Sequence, residues 1–221
     1  MQVMEDGKLY RLGCPANPET VKRNIEKIGP ILEEYDLDGF NIEDCFVYHR
    51  WEHEPLTCFC NYCRQNAPKD PDERKVWNRK QLTDMLREIV KESKKHSPRI
   101  KVSAAARVPY VSHGLVMSTD WKEWCELGLL DYLAPMIYQT DSNKVRELTK
   151  ETLELVASSG VPVYVGLGAY LIDRELTGHD IPAQLSEQIA ITRELKADGQ
   201  IYYHMGGITV DQFIQMERAY R

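Results

Sequence analysis

Long apolar runs are missing from this chain, and so is any surplus of positive charge. No stretch of the 221 residues approaches the length of a membrane span. The start, MQVMEDGKLYRLG, has neither the basic flank nor the apolar centre of a signal peptide. These absences leave the compartment open, with the cytoplasm favoured, and point to no membrane partner. A formal charge of −6 argues against a nucleic-acid backbone as the main partner. There is no internal repeat and no low-complexity linker. No Gly-rich G-x-G-x-x-G turn follows the first strand candidate, which removes support for a dinucleotide-binding open sheet. What is there is 43% hydrophobic and 28% charged, the balance of a soluble globular protein. Its length suits a single domain over residues 1–221.

Short apolar runs alternate with amphipathic stretches. KLYRLG reads as a strand, and NPETVKRNIEKIGPILEEY as a helix beginning at Pro18, with Val21, Ile25, Ile28 and Ile31 on one face. Asn17 before Pro18 and Glu19 in the first turn form a proper helix start. GFNIEDCFV is the next strand, RQNAPKDPDERK at 64–75 reads as a surface loop, and VWNRKQLTDMLREIVKESKKH as a strong helix. RIKVSAAARV, LDYLAPMIY, VPVYVGLGAYL and GQIYYHMGG are further strands, separated by helices around TDWKEWCELG, from Asn143 to Ser158 and from Pro182 to Lys196. The closing helix is TVDQFIQMERAY. Six strands alternating with six helices imply a parallel sheet with helical crossovers. Polar and aromatic strand ends favour a (β/α)8 TIM barrel, since active-site loops leave barrel strands at that end. The barrel is incomplete, two strands short.

The cysteines carry the sharpest local signal. CFCNYC puts Cys58, Cys60 and Cys63 too close together to pair neatly with one another. A redox Cys-x-x-Cys at Cys60 and Cys63 would leave Cys58 without a role. A short loop aiming several thiolates at one tetrahedral ion uses all three, with Cys14 or Cys45 as the fourth ligand. A closed four-thiolate zinc has no open position for water, so zinc here would be structural.

These residues resemble known families. CPANP, then GFNIED, then CFCNYCRQ, is similar to the zinc-bearing (β/α)8 β-galactosidases of glycoside hydrolase family 42. DGFNIED and WCELGLLDYLAPMIYQ resemble the family-10-like glycosyl hydrolase domains, barrel proteins with mostly unknown substrates. The likeness runs from about Cys14 to the final helix. It implies that KLYRLG to GQIYYHMGG are strands three to eight of a barrel, about six βα units. The bare edges would then be covered by a homodimer or by a missing N-terminal segment. The family-42 pattern favours Cys14 as the fourth zinc ligand.

Glycoside cleavage needs a proton donor and a second carboxylate. Glu43 and Asp44 end the GFNIED strand, and alternation lets at most one face a barrel mouth. The family-10-like pattern selects Glu43, with Asn41 on its face. The family-42 strand-seven glutamate has no counterpart before Asp173, so Asp141 and Asp173 are the substitutes, although both could equally be helix caps, Asp141 preceding the helix from Asn143. Arg107 suits bidentate bonding to a carboxylate or to hydroxyls. Trp51, Tyr138 and Tyr202 offer faces to sugar C–H groups, and His204 titrates near neutrality. His49 and His53 lie in a loop, so their spacing does not make a metal pair, and they are read as substrate contacts. Trp121 and Trp124 are expected in the core. The expectation is a carbohydrate-acting hydrolase domain, with a non-catalytic carbohydrate-binding or regulatory barrel remnant as the alternative.

Overall fold

The computed structural model describes residues 1–43, 46–48, 57–170, 181–204, 208, 210, 211, 213, 214 and 217. They fall into two compact units, Met1–Ser103 with Tyr110–Asp131, and Ala104–Pro109 with the chain from Tyr132 onward.

The first unit opens with a hairpin. Strands β1 (Gln2–Val3) and β2 (Leu9–Tyr10) pair antiparallel, Gln2 opposite Tyr10, around a turn in which Gly7 takes φ +85°. KLYRLG is thus half of a two-stranded ribbon and no barrel strand. An alternating pattern fixes which side chains share a face, but leaves open which neighbour the strand pairs with.

Helix α1 (Pro18–Glu34) starts as the sequence indicates: the Asn17 side chain accepts from the Glu19 N–H at 2.9 Å. It packs on α3 (Pro71–His96), with Gly29 of α1 lying so close that a Cβ there would meet the His96 ring at 3.0 Å. The structure corrects the loop expected at 64–75. Asn61–Asn66 forms helix α2, and α3 begins at Pro71 behind Asp70, whose carboxylate accepts from the N–H groups of Asp72 and Glu73. Leu82, Met85, Leu86 and Ile89 form the buried stripe of α3. A π turn (Tyr110–Gly114) and a 3-10 turn (Leu115–Met117) precede helix α4 (Trp121–Glu126). Trp121 and Trp124, 0% and 2% exposed, are core as expected, and the Trp124 Nε1–H donates to Thr83 at 3.0 Å.

The larger sheet runs in chain order, β3 (Gly39–Ile42), β4 (Lys101–Ala106), β5 (Tyr132–Ile137), β6 (Tyr164–Leu167) and β7 (Gly199–Tyr202). It therefore has five described strands, not six. In the second unit β5, β6 and β7 are parallel, with Ile137 opposite Leu167 and Leu167 opposite Tyr202. Helices α5 (Ser142–Val156) and α6 (Ile181–Glu194) pack together. Val145, Leu148, Thr149, Thr152 and Val156 make the buried face of α5. At the rim Arg146 grips Glu194 in a two-pronged pair at 2.8 and 2.7 Å.

A recurring device sits at the amino-terminal ends of these strands. Asp38, Asp131 and Asp198 each stand immediately before a strand. The Asp131 N–H donates to the Val102 carbonyl at 2.7 Å, while its carboxylate accepts from the Val102 N–H at 2.9 Å and from Lys94 and Lys101 at 3.1 Å. Asp198 grips Val163 in the same two-way fashion, at 3.0 and 2.8 Å. Asp38 uses only its carbonyl, which accepts from Lys101 N–H at 2.8 Å. The adjoining Gly39 is forced by this closeness, since a Cβ there would lie 2.7 Å from the Lys101 carbonyl oxygen.

Burial pushes the Asp131 carboxyl upward, but the Val102 N–H and the two lysines outweigh it and hold the group below its ordinary value. A depressed folded-state pKa stabilises the fold above the ordinary Asp value, about 3.9. That contribution fades as the pH falls through the depressed value. The expected outcome is that D131A loses about 1–3 kcal/mol at neutral pH and shows a shallower acid limb than wild type, read by urea melts from pH 7 to pH 3.

Candidate functional site

Four thiols from separate stretches of the first unit converge. The sulfurs of Cys14, Cys58, Cys60 and Cys63 all lie within 4.8 Å of one another, and Cys14 Sγ is 3.3 Å from Cys63 Sγ. None is in a disulfide, whose sulfurs would be about 2.05 Å apart. Zinc–sulfur bonds of about 2.3 Å in a tetrahedron would put sulfurs about 3.8 Å apart. The cluster is therefore near the size a metal needs. Cys14, Cys58 and Cys63 are buried, and Cys60 is half-buried.

Local structure explains the convergence. Cys60 is the N-cap of α2 and Cys63 lies in its first turn, so the Cys-x-x-Cys spacing turns both toward one point. Strand β1 meets the loop: Phe59 N–H donates to the Val3 carbonyl at 2.8 Å, and Val3 N–H to the Cys58 sulfur at 3.2 Å. Cys60 N–H adds a second donor to that sulfur at 3.3 Å. Hydrogen bonds from Cys14 and Cys63, with these two backbone donors, hold the Cys58 thiol far below its ordinary value, while Cys14 is pushed up as a donor to Cys58, and Cys63 as a donor first to Cys14 and then to Cys58. A donor set of this kind suits thiolates bound to a soft or borderline cation.

Around the cluster, Arg74 donates to the carbonyl oxygens of Cys58 and, at 3.3 Å, Pro68, and Asn78 donates to that of Thr57 at 2.7 Å. Tyr48, 1% exposed, has no partner for its hydroxyl among the described residues. Burial raises its phenol strongly, and the charge of Cys14, Cys63 and Cys58 raises it further. Cys45, the other fourth-ligand candidate, lies outside the described residues.

Glu43 follows β3 and is exposed, with Asn41 on the same face. The Asn41 side-chain amide donates to Glu43 Oε2 at 3.0 Å, and its carbonyl accepts from the Ser103 hydroxyl at 2.9 Å. This chain of bonds aims the carboxylate from a rigid strand. Both residues line a cleft of about 370 Å³ with Arg11, Asn24 and Phe46. Asp44, His49, Trp51, His53 and Asp173 lie outside the described residues.

The second unit holds an aromatic group at the carboxyl ends of three strands. Tyr138 follows β5, Tyr170 follows β6, and Tyr203 and His204 follow β7. Tyr138 and Tyr203 stack at 5.3 Å and 15°, Tyr170 and His204 at 5.7 Å and 23°. The backbone joins them too, Tyr203 N–H donating to the Leu167 carbonyl at 2.9 Å. The structure thus brings the expected Tyr138 and His204 together. It adds Tyr170 and Tyr203, which sequence reasoning missed although both stand just past strand ends. Tyr202 is the last residue of β7. Arg107 follows β4 and is half-buried. Asp141 is exposed and accepts from Asn143 N–H at 2.8 Å as the N-cap of α5, the second of the roles the sequence left open for it.

Parallel strands with crossover helices and side chains gathered past the strand ends define the class: the fold is that of the TIM-barrel glycosidases. A class V chitinase from Pseudomonas fluorescens Pf-5 is similar over 94% of this chain and 74% of its own, with TM-score 0.63 and 11% identity. Bee venom hyaluronidase, solved with a hyaluronic acid tetramer, is similar over 98% of this chain and 80% of its own, with TM-score 0.61 and 16% identity. A β-galactosidase from Rahnella sp. R3 is similar over 86% of this chain and 34% of its own, with TM-score 0.57 and 12% identity. In sequence, the glycosyl hydrolase YngK of Bacillus subtilis (strain 168) is 22% identical over 208 residues, which span 85% of this chain and 40% of that protein. Residues 9–180 match the family described as glycosyl hydrolase-like 10, and the chain belongs to that family. Among the described residues no helix is long and apolar enough to cross a membrane.

If the cluster holds an ion, removing one sulfur should release it. The expected outcome is about one metal ion per chain in wild type and in C125S, and loss of the ion in C63S, measured by elemental analysis after gel filtration. Cys125 is buried on α4 and is not among the clustered thiols, so it controls for the loss of any buried cysteine.

Proposed function

We propose that this glycoside-hydrolase-like domain acts on a carbohydrate, with Glu43 as the proton-transferring carboxylate and a structural zinc at Cys14, Cys58, Cys60 and Cys63. The observation that carries the reading is the placement of Glu43: an exposed carboxylate just past a strand, fixed by Asn41 and Ser103 and lining a cleft. Glycoside cleavage asks for such a group at bonding distance from the glycosidic oxygen or from a water. The four rings of the second unit offer apolar faces suited to the C–H faces of pyranose rings. Zinc fits the four sulfurs in number, type and spacing, and with every ligand a thiolate it would brace the fold and leave no vertex for a water. The catalytic reading therefore rests on carboxylates alone.

One observation favours a second reading, a carbohydrate-binding domain without catalysis. Among the described residues lining its cleft Glu43 is the sole carboxylate, and Asp141 is engaged as a helix cap. Hydrolysis would need a second carboxylate, for which Asp44 and Asp173 remain the candidates.

Kinetics and melting curves on the same variants separate the two readings. On a glycan that wild type cleaves, E43Q should lower kcat by about 10²–10⁴-fold while the melting temperature stays within a degree or two. Full activity in E43Q would remove Glu43 from the chemistry. Binding without turnover across a broad glycan panel would support the second reading. Y203A tests the ring group: it should raise KM, or weaken glycan binding, more than it lowers kcat.

A further inference from the structure

Arg74 is a buried cation that forms no ion pair among the described residues; the exposed Glu5 lines the same cleft without pairing with it. It is 8% exposed, its Nε has no partner among the described residues, and its terminal nitrogens donate to the carbonyl oxygens of Cys58 and Pro68. The rings of Phe59 and Trp77 flank it at 5.8 and 5.4 Å. A guanidinium keeps its charge under any ordinary condition, and burying a charge without a counter-charge is strongly unfavourable. A compensating negative charge is therefore expected nearby. The four thiols are adjacent: the guanidinium bonds to the carbonyl of one of their own residues, and Arg74 and Cys63 line the same cleft. Four neutral thiols would not balance the charge. Four thiolates around a divalent ion carry a surplus of negative charge and would.

We propose that Arg74 is the positioning cation of the four-cysteine metal site, its buried charge offsetting that of the tetrathiolate centre while its hydrogen bond to the Cys58 carbonyl fixes the loop that carries Cys58 and Cys60. Tyr48 stands near this shell: its buried hydroxyl has no partner among the described residues and feels the charge of three of the thiols. The inference rests on the metal reading of the cluster and adds the residues that make a negatively charged centre tolerable inside this fold.

The test is zinc affinity, by competition with a chromophoric chelator, for full-length wild type, R74M, R74K and Y48F. Outer-shell partners typically govern about 10–100-fold in affinity. R74M should lose that much, R74K should recover most of it because the charge returns, and Y48F should lose less than R74M. Melting curves with and without chelator give a second readout, in which R74M should shrink the stabilisation that zinc confers. A purely structural Arg74 would lower both curves equally and leave zinc affinity unchanged in R74M, which would overturn the proposal. Should R74M fail to fold, R74Q carries the same comparison with a smaller change of shape. Wild type that binds no zinc, with all four thiols freely titratable, would overturn the metal reading and this role together. Zinc bound equally by all four proteins would overturn this role alone.

Discussion

Bringing four cysteine sulfurs within 4.8 Å of one another, three of them buried, is the constraint on which the amino-terminal unit depends. Cys14 and Cys63 are 49 residues apart in sequence, so holding them together closes a long loop. For a covalent crosslink of that span the loop-closure entropy alone is worth about 4 kcal/mol, and a shared metal ion would act in the same sense. The parts around the cluster follow from this. The β1–β2 hairpin gives its Val3 N–H to Cys58, α2 begins at Cys60, and Arg74 near the start of α3 holds the Cys58 carbonyl. A hairpin of two-residue strands is marginal by itself. Here it persists because its edge joins the cysteine loop through Phe59 and the buried Gln2 amide donates to Gly13 and Val47.

The strands divide their labour by end. Before the strands stand Asp38, Asp131 and Asp198, which fix neighbouring backbones in register. Past them stand Glu43, Arg107, Tyr138, Tyr170, Tyr203 and His204. This asymmetry is what a parallel sheet of the barrel type permits: one end is spent on register, and the other is free to carry side chains that the fold itself does not need.

Much of this was legible in the sequence, for physical reasons that differ by element. The Asn17–Pro18 start of α1 could be read because capping is local chemistry, and Trp121 and Trp124 because helical spacing on an apolar face means core. Cys58, Cys60 and Cys63 could be named because thiols at such short spacings have few other uses, whereas Cys14 was favoured over Cys45 only by the family-42 resemblance. KLYRLG misled because a period of two does not say which strand is its partner. The stretch at 64–75 misled because its polarity outweighed the cap signal of Asp70–Pro71 in the reading, although that pair repeats the logic of Asn17–Pro18. Tyr170 and Tyr203 were passed over because ring partners come from different strands and only the register of β5, β6 and β7 brings them together. Arg74 gave no sequence signal at all, since its meaning lies in a burial that polar surroundings in the sequence concealed.

A braced site and a reactive site place opposite demands on their residues, and in the first unit the cysteine cluster and the proposed proton-transferring carboxylate have opposite surroundings. Three of the four clustered cysteines are buried, and the loop around them is supported by bonds from Arg74, Asn78 and Val3. Glu43 is exposed, lies beside a cleft and is bonded by groups that orient its carboxylate without burying it. A group meant to exchange protons with a substrate must stay accessible and pre-aimed. A group meant to hold three chain segments together gains from burial, because a dry surrounding strengthens its bonds. The Asn41–Ser103 relay meets the first demand by fastening Glu43 to two strands of the sheet. The proposed proton-transferring carboxylate is thus held on the sheet, while the cysteine cluster secures the loops and the hairpin, the parts that backbone pairing alone would leave loose.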